Sequence, residues 1–196
     1  MKLLIIAVFI SNLNIIFAQD TLELFSKAPK FETKNNNEEK LTLESLIKNG
    51  PVVITFYRGQ WCPYCNKHMS DLQDSLSFIN NAGATLIAIT PEKNTEINKT
   101  IKKSDASFNI IYDKNHKIMD AYKVSFISKG FKKYLHILIG ININKASGNR
   151  DNILPIPATY IIDSNGIIIG RHFDKDYTKR MSVAEILNVL NKEKHL

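Results

Sequence analysis

Three apolar segments stand out in the middle of the chain. Residues 52–57 are six β-branched or aromatic residues in a row, and residues 84–90 and 108–113 are similar, mostly apolar runs. Runs of this length, bounded by Gly, Pro or polar residues, are typical of strands buried on both faces. Each is followed by apolar residues three and four apart, the spacing of a helix with one buried side. This alternation predicts an α/β fold with parallel strands joined by right-handed crossovers.

The helix after the first strand has a clear expected start. Pro63 suits the first helical position, where the missing N–H of proline has no partner to lose. Cys62 would then be the N-cap residue and Cys65 would lie one turn in. The expected buried side of one continuous helix consists of Met69, Leu72, Leu76 and Ile79.

Hairpins are expected near both ends of the chain. The asparagine-rich turn at 35–37 separates two short strands, and Thr42 is suited to open a short helix. Near the C-terminus, residues 157–163 and 167–173 flank Asn165-Gly166, a strong hairpin signal. Ser182 with Glu185 three residues later predicts the capping box of a last helix. The sheet should therefore be mixed.

Residues 125–154 interrupt the alternation of strands and helices. An apolar stretch at 131–143, which includes His136, is followed by a polar loop at 144–152. The apolar stretch either lines a substrate approach or an oligomer contact, or forms an inserted helix or strand packed on the body of the protein. The pattern leaves these alternatives open.

Composition indicates an ordinary globular protein. The chain has 196 residues, of which 44% are hydrophobic and 23% charged, enough for one domain with a substantial core. The formal net charge of +7 is spread along the chain among acidic residues, without a basic block. That distribution favours a generally basic surface and argues against a nucleic-acid partner.

Residues 1–18 have the features of a secretory signal peptide. They contain one basic residue, an apolar run and a small residue, Ala18, before polar Gln19. The run is interrupted by polar residues and is shorter than the ~20 residues of a membrane-spanning helix. We therefore expect export to a periplasmic or extracellular location, with residues 22–194 as the folded domain. If the segment is retained, it would give weak membrane association.

The two cysteines, Cys62 and Cys65, are the only ones in the chain, and they form a Cys-x-x-Cys pair. Free N–H groups and the positive end of the helix dipole favour a thiolate at Cys62. Cysteines in such settings have pKa values of roughly 3.5 to 7.5 instead of about 8.5. We therefore expect Cys62 to be the attacking thiolate and Cys65 to close an intramolecular disulfide.

Other uses of the pair are less consistent with the sequence. A zinc site could add His68, but a closed structural site needs four ligands. A structural disulfide would close too short a loop to stabilise the fold much. Haem attachment needs His directly after the second cysteine, where Asn66 stands. No metal or cofactor is therefore expected. The remaining histidines are scattered, at His116, His136, His172 and His195.

Several motifs carry a family resemblance. They are Ala28-Pro29-x-Phe31 and the segments 56–65, 89–92, 157–163 and 176–180. Together they resemble the thioredoxin-like superfamily, and within it the peroxiredoxin-like branch related to alkyl hydroperoxide reductase and thiol-specific antioxidant proteins. The resemblance covers roughly residues 24–190. It implies a thioredoxin-like fold: a mixed central sheet flanked by helices, with an N-terminal hairpin and an insertion before a strand that begins with a cis proline.

The resemblance also implies roles for particular residues. A reactive Cys62 would face a cis Pro157, Cys65 would resolve, and a thioredoxin-type partner would supply reductant. The chain departs from the family at two positions. Peroxiredoxins proper have Pro and Thr seven and three residues before the peroxide-reacting cysteine, and counted from Cys62 these positions are Thr55 and Gly59.

The leading interpretation is an antioxidant thiol peroxidase. Cys62 would attack a hydroperoxide, become a sulfenic acid and condense with Cys65 to a disulfide. Arg58 would stabilise the thiolate and orient the peroxide, with Arg171 as a second candidate for this role. Glu92 would steer protons near the strand end or, alternatively, open a helix as an N-terminal carboxylate.

Two other interpretations use the same cysteines. An exported thiol–disulfide oxidoreductase would exchange disulfides with protein substrates, and Trp61 directly before Cys62 fits this activity well. A non-enzymatic binding module would use the disulfide to change a surface, and its thiols would react no faster than ordinary cysteine.

Overall fold

Nine strands and seven helices follow one another along the residues that the computed structural model describes, which are 21–35, 38–128, 142–148 and 151–193. The strands are β1 (Glu32–Lys34), β2 (Lys40–Thr42), β3 (Val52–Phe56), β4 (Thr85–Thr90), β5 (Asn109–Tyr112), β6 (Ser125–Ile127), β7 (Ile153–Pro155), β8 (Ala158–Ile162) and β9 (Ile168–Phe173). The helices are α1 (Leu43–Ile47), α2 (Pro63–Asp74), α3 (Leu76–Asn81), α4 (Asn94–Ser104), α5 (Lys117–Ala121), α6 (Ile143–Ser147) and α7 (Val183–Glu193).

A five-stranded mixed sheet forms the centre, in the order β5-β4-β3-β8-β9. Strands β3, β4 and β5 are parallel, whereas β8 and β9 run antiparallel to their neighbours. All five residues of β3 are buried, as expected for a strand with neighbours on both sides and helices on both faces. The predicted α/β architecture with a mixed central sheet is therefore confirmed.

The sheet separates two apolar layers because successive residues of a strand point to opposite faces. On one face Ile54 and Phe56 pack with Tyr122 and Tyr160, and the two tyrosine rings stand 5.4 Å apart. The other face is covered by α2, α3, α4 and α7. Its buried residues include Val53, Tyr57, Met69, Leu72, Ile161, Cys62 and Cys65. The cysteines thus belong to one defined layer of the core.

Both predicted hairpins are present, and the first one, β1–β2, is a separate two-stranded sheet. Strands β1 and β2 pair antiparallel, and Thr42 forms a capping box with Ser45 at the start of α1. Strands β8 and β9 are joined through a turn in which the Asp163 carboxylate accepts from the N–H of Asn165. Gly166 takes a left-handed φ of 77°. Glycine adopts this conformation without steric cost because it has no Cβ.

The helix expected to run from Pro63 past Ile79 is divided at Ser75. Its backbone, at φ −107° and ψ 7°, ends α2 and begins α3. Ile79 is nonetheless fully buried beside Met69 and Leu72. Helix α3 packs on the same apolar layer as α2, so the apolar spacing continues across Ser75. Periodicity alone therefore does not reveal that the helix is divided there.

The expected insertion lies between α5 and β8. Its described parts are the antiparallel pair β6–β7 and the short helix α6. Residues 129–141, which hold most of the apolar stretch and His136, lie outside the described residues, as do residues 149–150.

The expectation of a cis bond before Pro157 is wrong, because the described residues contain no cis peptide. The bond before Pro157 is trans, the form that X–Pro bonds favour by about 0.5–1 kcal/mol.

The proposed signal peptide, residues 1–18, also lies outside the described residues. Within the part of the chain that is described, no helix is both long enough and apolar enough to cross a membrane.

Leu72→Ala tests how firmly the core holds α2. Leu72 is fully buried in the cysteine-containing layer. Its truncation leaves a cavity and should lower the free energy of unfolding by about 2–5 kcal/mol. Phe78→Ala is the control, because Phe78 is 61% exposed. This control should change the free energy of unfolding by no more than about 0.5 kcal/mol. Urea unfolding of both variants measures the effect, and equal losses would contradict this packing.

Candidate active site

The end of β3 and the start of α2 position the cysteine pair. Cys62 is the N-cap residue of α2, as predicted, and Pro63 is in its first turn. The Cys62 carbonyl accepts from the N–H groups of Cys65 (3.1 Å) and Asn66 (3.0 Å). Both cysteines are free thiols and both are buried, Cys62 at 2% exposure and Cys65 at 0%. The two sulfurs therefore face each other in a site closed to bulk water.

The Cys65 sulfur receives several hydrogen bonds. Arg180 Nη2 donates to Cys65 Sγ at 3.5 Å. The Cys62 thiol and the backbone N–H of Arg58 also donate to it. Burial raises the pKa of Cys65, but these donors and the positive charge of Arg180 together outweigh burial and lower it to about 6. The Arg180 guanidinium therefore favours the thiolate form of Cys65.

Cys62 has the opposite electrostatic environment. The hydrogen bond to Cys65, its own burial and the negative charge on Cys65 all raise the pKa of Cys62, and the charge of Arg58 opposes them only partly. The N-terminus of α2 supplies no capping hydrogen bond to its side chain. The Arg180 guanidinium contacts the other sulfur, so these surroundings favour charge on Cys65, and the thiolate expected at Cys62 stays a prediction.

Arg58 connects two loops beside the cysteines. Its guanidinium carbon lies 4.9 Å from the ring centroid of Trp61 and 4.6 Å from that of Tyr177, so the cation is held between two aromatic rings. Tyr177 in turn packs edge-on against Tyr64, with centroids 5.7 Å apart. The structure therefore brings Arg58 and Trp61 to the site, as predicted.

Glu92 lies beneath the loop that leads to the cysteines. It is 1% exposed, and its Oε2 accepts from the backbone N–H of Gln60 at 2.7 Å. Its Oε1 is buried without a hydrogen-bond partner among the described residues. Burial raises the pKa of Glu92 to about 8, with smaller contributions from Glu96 and Cys65. Glu92 is thus protonated at neutral pH and binds the loop, whereas α4 is opened by Lys93.

Gly59 allows this close packing. A Cβ at this position would lie 2.5 Å from Glu92 Oε1 and 2.6 Å from Trp61 Nε1. The φ of Gly59 is 152°. Residues with a side chain rarely adopt such a backbone conformation, whereas glycine does so readily. The position therefore requires glycine for packing.

A cavity of about 210 Å³ lies beside Trp61. Helix α6 contributes to its wall, so the described part of the insertion borders the approach to the cysteine loop. The lining residues are Gln60, Trp61, Glu96, Lys99, Asn142, Lys145 and Ala146.

Pro157 and Arg171, which were also predicted to belong to the site, lie in different places. Pro157 is buried and directly precedes Ala158, which pairs with Phe56, so it lies at the sheet end where the cysteine loop begins. Arg171 lies on the opposite face of the sheet, in register with Tyr160, and its guanidinium donates to the Leu22 carbonyl at 2.6 Å. The structure does not bring Arg171 to the cysteines.

Sequence reasoning missed Arg180 and Tyr177. Both belong to the motif at 176–180, which indicates family membership but to which no roles were assigned.

His68 is also buried near the site. Burial and, to a smaller extent, the positive charge of Arg180 lower the pKa of His68 to about 4. It is therefore neutral at pH 7. Among the described residues, no three His, Cys, Asp or Glu side chains are grouped closely enough to hold a metal ion.

Comparison with known sequences relates this site to redox proteins. Residues 25–171 match the AhpC/TSA family. Peroxiredoxin Bcp of Bacillus subtilis is 29% identical over 118 residues, which are 60% of this chain and 74% of that protein. The thiol-disulfide oxidoreductase ResA of the same bacterium is 26% identical over 114 residues, 57% of this chain and 63% of ResA.

Solved structures with the same fold are also peroxiredoxins. Peroxidoxin BcpB of Mycobacterium tuberculosis aligns with a TM-score of 0.67 at 15% identity, over 87% of this chain and 97% of BcpB. The reduced 2-Cys peroxiredoxin of Plasmodium vivax aligns with a TM-score of 0.67 at 17% identity, over 88% and 96% of the two chains. At these identities the likeness shows the fold, which is the expected thioredoxin-like fold.

Glu92→Gln tests the buried carboxyl. The unfolded chain loses the Glu92 proton near pH 4.5, whereas the folded protein keeps it to about pH 8, so this residue makes the free energy of unfolding fall as pH rises between those values. The variant lacks that proton. Its stability relative to the wild type should therefore increase by a few kcal/mol from pH 5 to pH 8.5.

Urea unfolding of both proteins across this pH range measures the difference. Taking the difference cancels the contributions of other groups, including His68. A difference that does not change with pH would mean that Glu92 is already ionised in the folded protein at neutral pH.

Proposed function

Because the chain belongs to the AhpC/TSA family, we propose that it is a peroxiredoxin-like thiol peroxidase that reduces hydroperoxides with Cys62 and Cys65. The main supporting observation is that an arginine contacts one sulfur of the buried pair of free cysteines. A thiolate is the nucleophile in such reactions, and the Arg180 guanidinium, 3.5 Å from the buried Cys65 sulfur, favours that ionised form. Such a thiolate, beside a second thiol one turn away, is suited to two-electron reduction.

The reaction balances with the groups present. One sulfur attacks the terminal oxygen of the hydroperoxide, forming an S–O bond as the O–O bond breaks and an alcohol leaves. The other sulfur then displaces hydroxide, which leaves as water, and an S–S bond forms. Two electrons pass from the thiols to the peroxide. The order predicted from sequence, with Cys62 attacking and Cys65 resolving, and the reverse order both give the same disulfide.

A thioredoxin-type dithiol would complete the cycle. Thiol–disulfide exchange would return the two electrons through a mixed disulfide and restore both thiols. Tyr64 and Tyr177, which are 47% and 46% exposed, form an apolar surface beside the start of α2. Exposed aromatic residues next to the disulfide suit contact with a partner protein.

An exchange activity on protein disulfides is the second candidate. It is favoured by the similarity to ResA, a thiol-disulfide oxidoreductase. It is also favoured by Trp61, which directly precedes Cys62 in the chain and lines the cavity. In this case a protein disulfide takes the place of the peroxide as oxidant.

The proposed setting is outside the cytoplasm. This part of the proposal rests on the signal-like pattern of residues 1–18. In an oxidising compartment the disulfide would persist unless a dedicated reductant acts on it. Mass spectrometry of the N-terminus of the exported protein should show that these residues have been removed, and an intact N-terminus in the cell membrane fraction would contradict cleavage.

Stopped-flow fluorescence of Trp61 tests the peroxidase activity. Reduced protein mixed with hydrogen peroxide should oxidise orders of magnitude faster than free cysteine. Full ionisation of the reacting sulfur accounts for about 30-fold at pH 7, and positioning of the peroxide by the neighbouring arginines supplies the rest. Mass spectrometry of the quenched product should show the loss of two hydrogens, and a thioredoxin system should sustain turnover.

The double variant Cys62→Ser/Cys65→Ser is the matched control and should show no reaction. Insulin reduction, assayed in parallel, tests the exchange activity. Reaction with peroxide at the free-cysteine rate together with rapid insulin reduction would replace the peroxidase with the exchange enzyme.

A further inference from the structure

We infer that the cavity beside Trp61 binds the carboxylate-bearing part of a small organic hydroperoxide, while the peroxide group reaches the cysteine pair. This inference rests on the proposed function and names a class of substrate for it. The cavity has a volume of about 210 Å³, whereas one water occupies roughly 30 Å³ in the liquid. It is therefore large enough to receive an organic group.

The cavity lies directly beside the cysteine-bearing segment. One wall is the loop that leads to Cys62, through Gln60 and Trp61, and the other walls are α4 and α6. Trp61 and Cys62 are consecutive, so their Cα atoms are about 3.8 Å apart. A ligand that touches Trp61 is thus one residue away from the pair.

The loop wall is fixed by hydrogen bonds within the protein. The backbone N–H of Gln60 donates to Glu92 at 2.7 Å, and the side-chain amide of Gln60 donates to Glu96 at 3.2 Å. The loop is therefore attached to the end of β4 and to α4 at the same residue.

The wall formed by α6 is fixed as well. The backbone N–H of Lys93, at the start of α4, donates to the Ala146 carbonyl at 2.9 Å. The Tyr112 hydroxyl, at the end of β5, donates to the Ser147 carbonyl at 2.6 Å, and Ile143 is buried. The cavity is thus formed before a ligand arrives, which lowers the entropy cost of binding.

Positive charge predominates around the cavity. Among the described residues that line it, Lys99 and Lys145 are cations and Glu96 is the one carboxylate. Glu96 is already engaged, because its two oxygens accept from Lys99 at 2.8 Å and 2.9 Å. Lys103 donates to the side-chain oxygen of Gln60 at 2.7 Å and adds a further cation. This surplus of positive charge favours an anionic ligand.

Lys145 is the cation that remains for a ligand. Its side chain is exposed on α6 and forms no ion pair with any residue that the structure describes. Its backbone N–H donates to Asn142 at 2.9 Å, so its contribution to the helix does not involve the ammonium group. An ammonium has three N–H donors and no acceptor, and a carboxylate is the strong partner for it.

Trp61 and Ala146 supply apolar surface for the rest of the ligand. The indole ring lines the cavity, and the guanidinium of Arg58 lies 4.9 Å from its centroid. Small-molecule sites commonly combine apolar surface with a few placed polar groups. A small carboxylate with an apolar body matches this combination.

The burial of the cysteines gives such a site a use in the reaction. Cys62 is 2% exposed and Cys65 is 0% exposed, so a bulky substrate cannot enter whole. With its carboxylate bound at Lys145, the organic body would stay in the cavity while the two peroxide oxygens enter the closed space. Holding the reacting group in this way raises its rate of reaction.

Binding is tested without chemistry on the double variant Cys62→Ser/Cys65→Ser. Benzoate is the probe, and benzamide, of nearly the same shape but uncharged, is the control. In ¹H–¹⁵N NMR the indole N–H of Trp61, the single tryptophan, should shift with benzoate until it saturates. Benzamide should bind at least about threefold more weakly. An unchanged Trp61 resonance, or equal affinity for the two probes, would overturn the inference.

Cumene hydroperoxide and its para-carboxylate test the class of substrate. Reduced wild type should react about fivefold faster with the carboxylate at low ionic strength, and Lys145→Met should remove most of this preference. Lys102→Met is the matched control, because Lys102 is an exposed lysine of α4 that does not line the cavity. This control should keep the preference. Equal losses in the two variants would mean attraction by overall charge and would overturn the site.

The two measurements separate this inference from the proposed function. If neither hydroperoxide reacts faster than it does with free cysteine, the peroxidase proposal fails, while benzoate binding that depends on Lys145 would still support the carboxylate site. If both hydroperoxides react rapidly and equally, the proposed function stands and the inference about its substrate is overturned.

Discussion

One proton shared between two buried sulfurs is the constraint on which the site depends. Two thiolates in contact within a dry core would repel each other strongly, so one sulfur keeps its proton and donates it to the other. The guanidinium of Arg180 and the backbone N–H of Arg58 favour charge on Cys65. The reduced pair is thereby kept as a thiolate with its own acid beside it.

The fold supplies the rigidity that this arrangement needs. Strand β3 is fixed between β4 and β8, and the loop after it is bound to Glu92 through the Gln60 N–H. On the other side, the loop that carries Tyr177 and Arg180 is attached through the stacking of Arg58 between Trp61 and Tyr177. Displacement of either loop would separate charge from sulfur, so packing and reactivity are coupled.

The sequence alone predicted the structure correctly where a local pattern determines it. Buried runs located the central strands, and proline at the first helical position placed Cys62 at the N-cap. Long-range contacts decided the rest. The side of the sheet on which Arg171 lies depends on its register with β8, and the contact of Arg180 joins residues 115 positions apart. Helix-dipole reasoning favoured charge on Cys62 because it could not include that guanidinium.

The most direct test of this account is a pH titration of the reduced wild-type protein followed by NMR of its cysteine ¹³Cβ resonances. Assignment of the two resonances with the single serine variants gives the pKa of each thiol in the intact pair. We predict that the Cys65 resonance titrates near pH 6 and that the Cys62 resonance stays that of a thiol through the neutral range. Titration of both near the ordinary cysteine value, or of Cys62 first, would contradict the account.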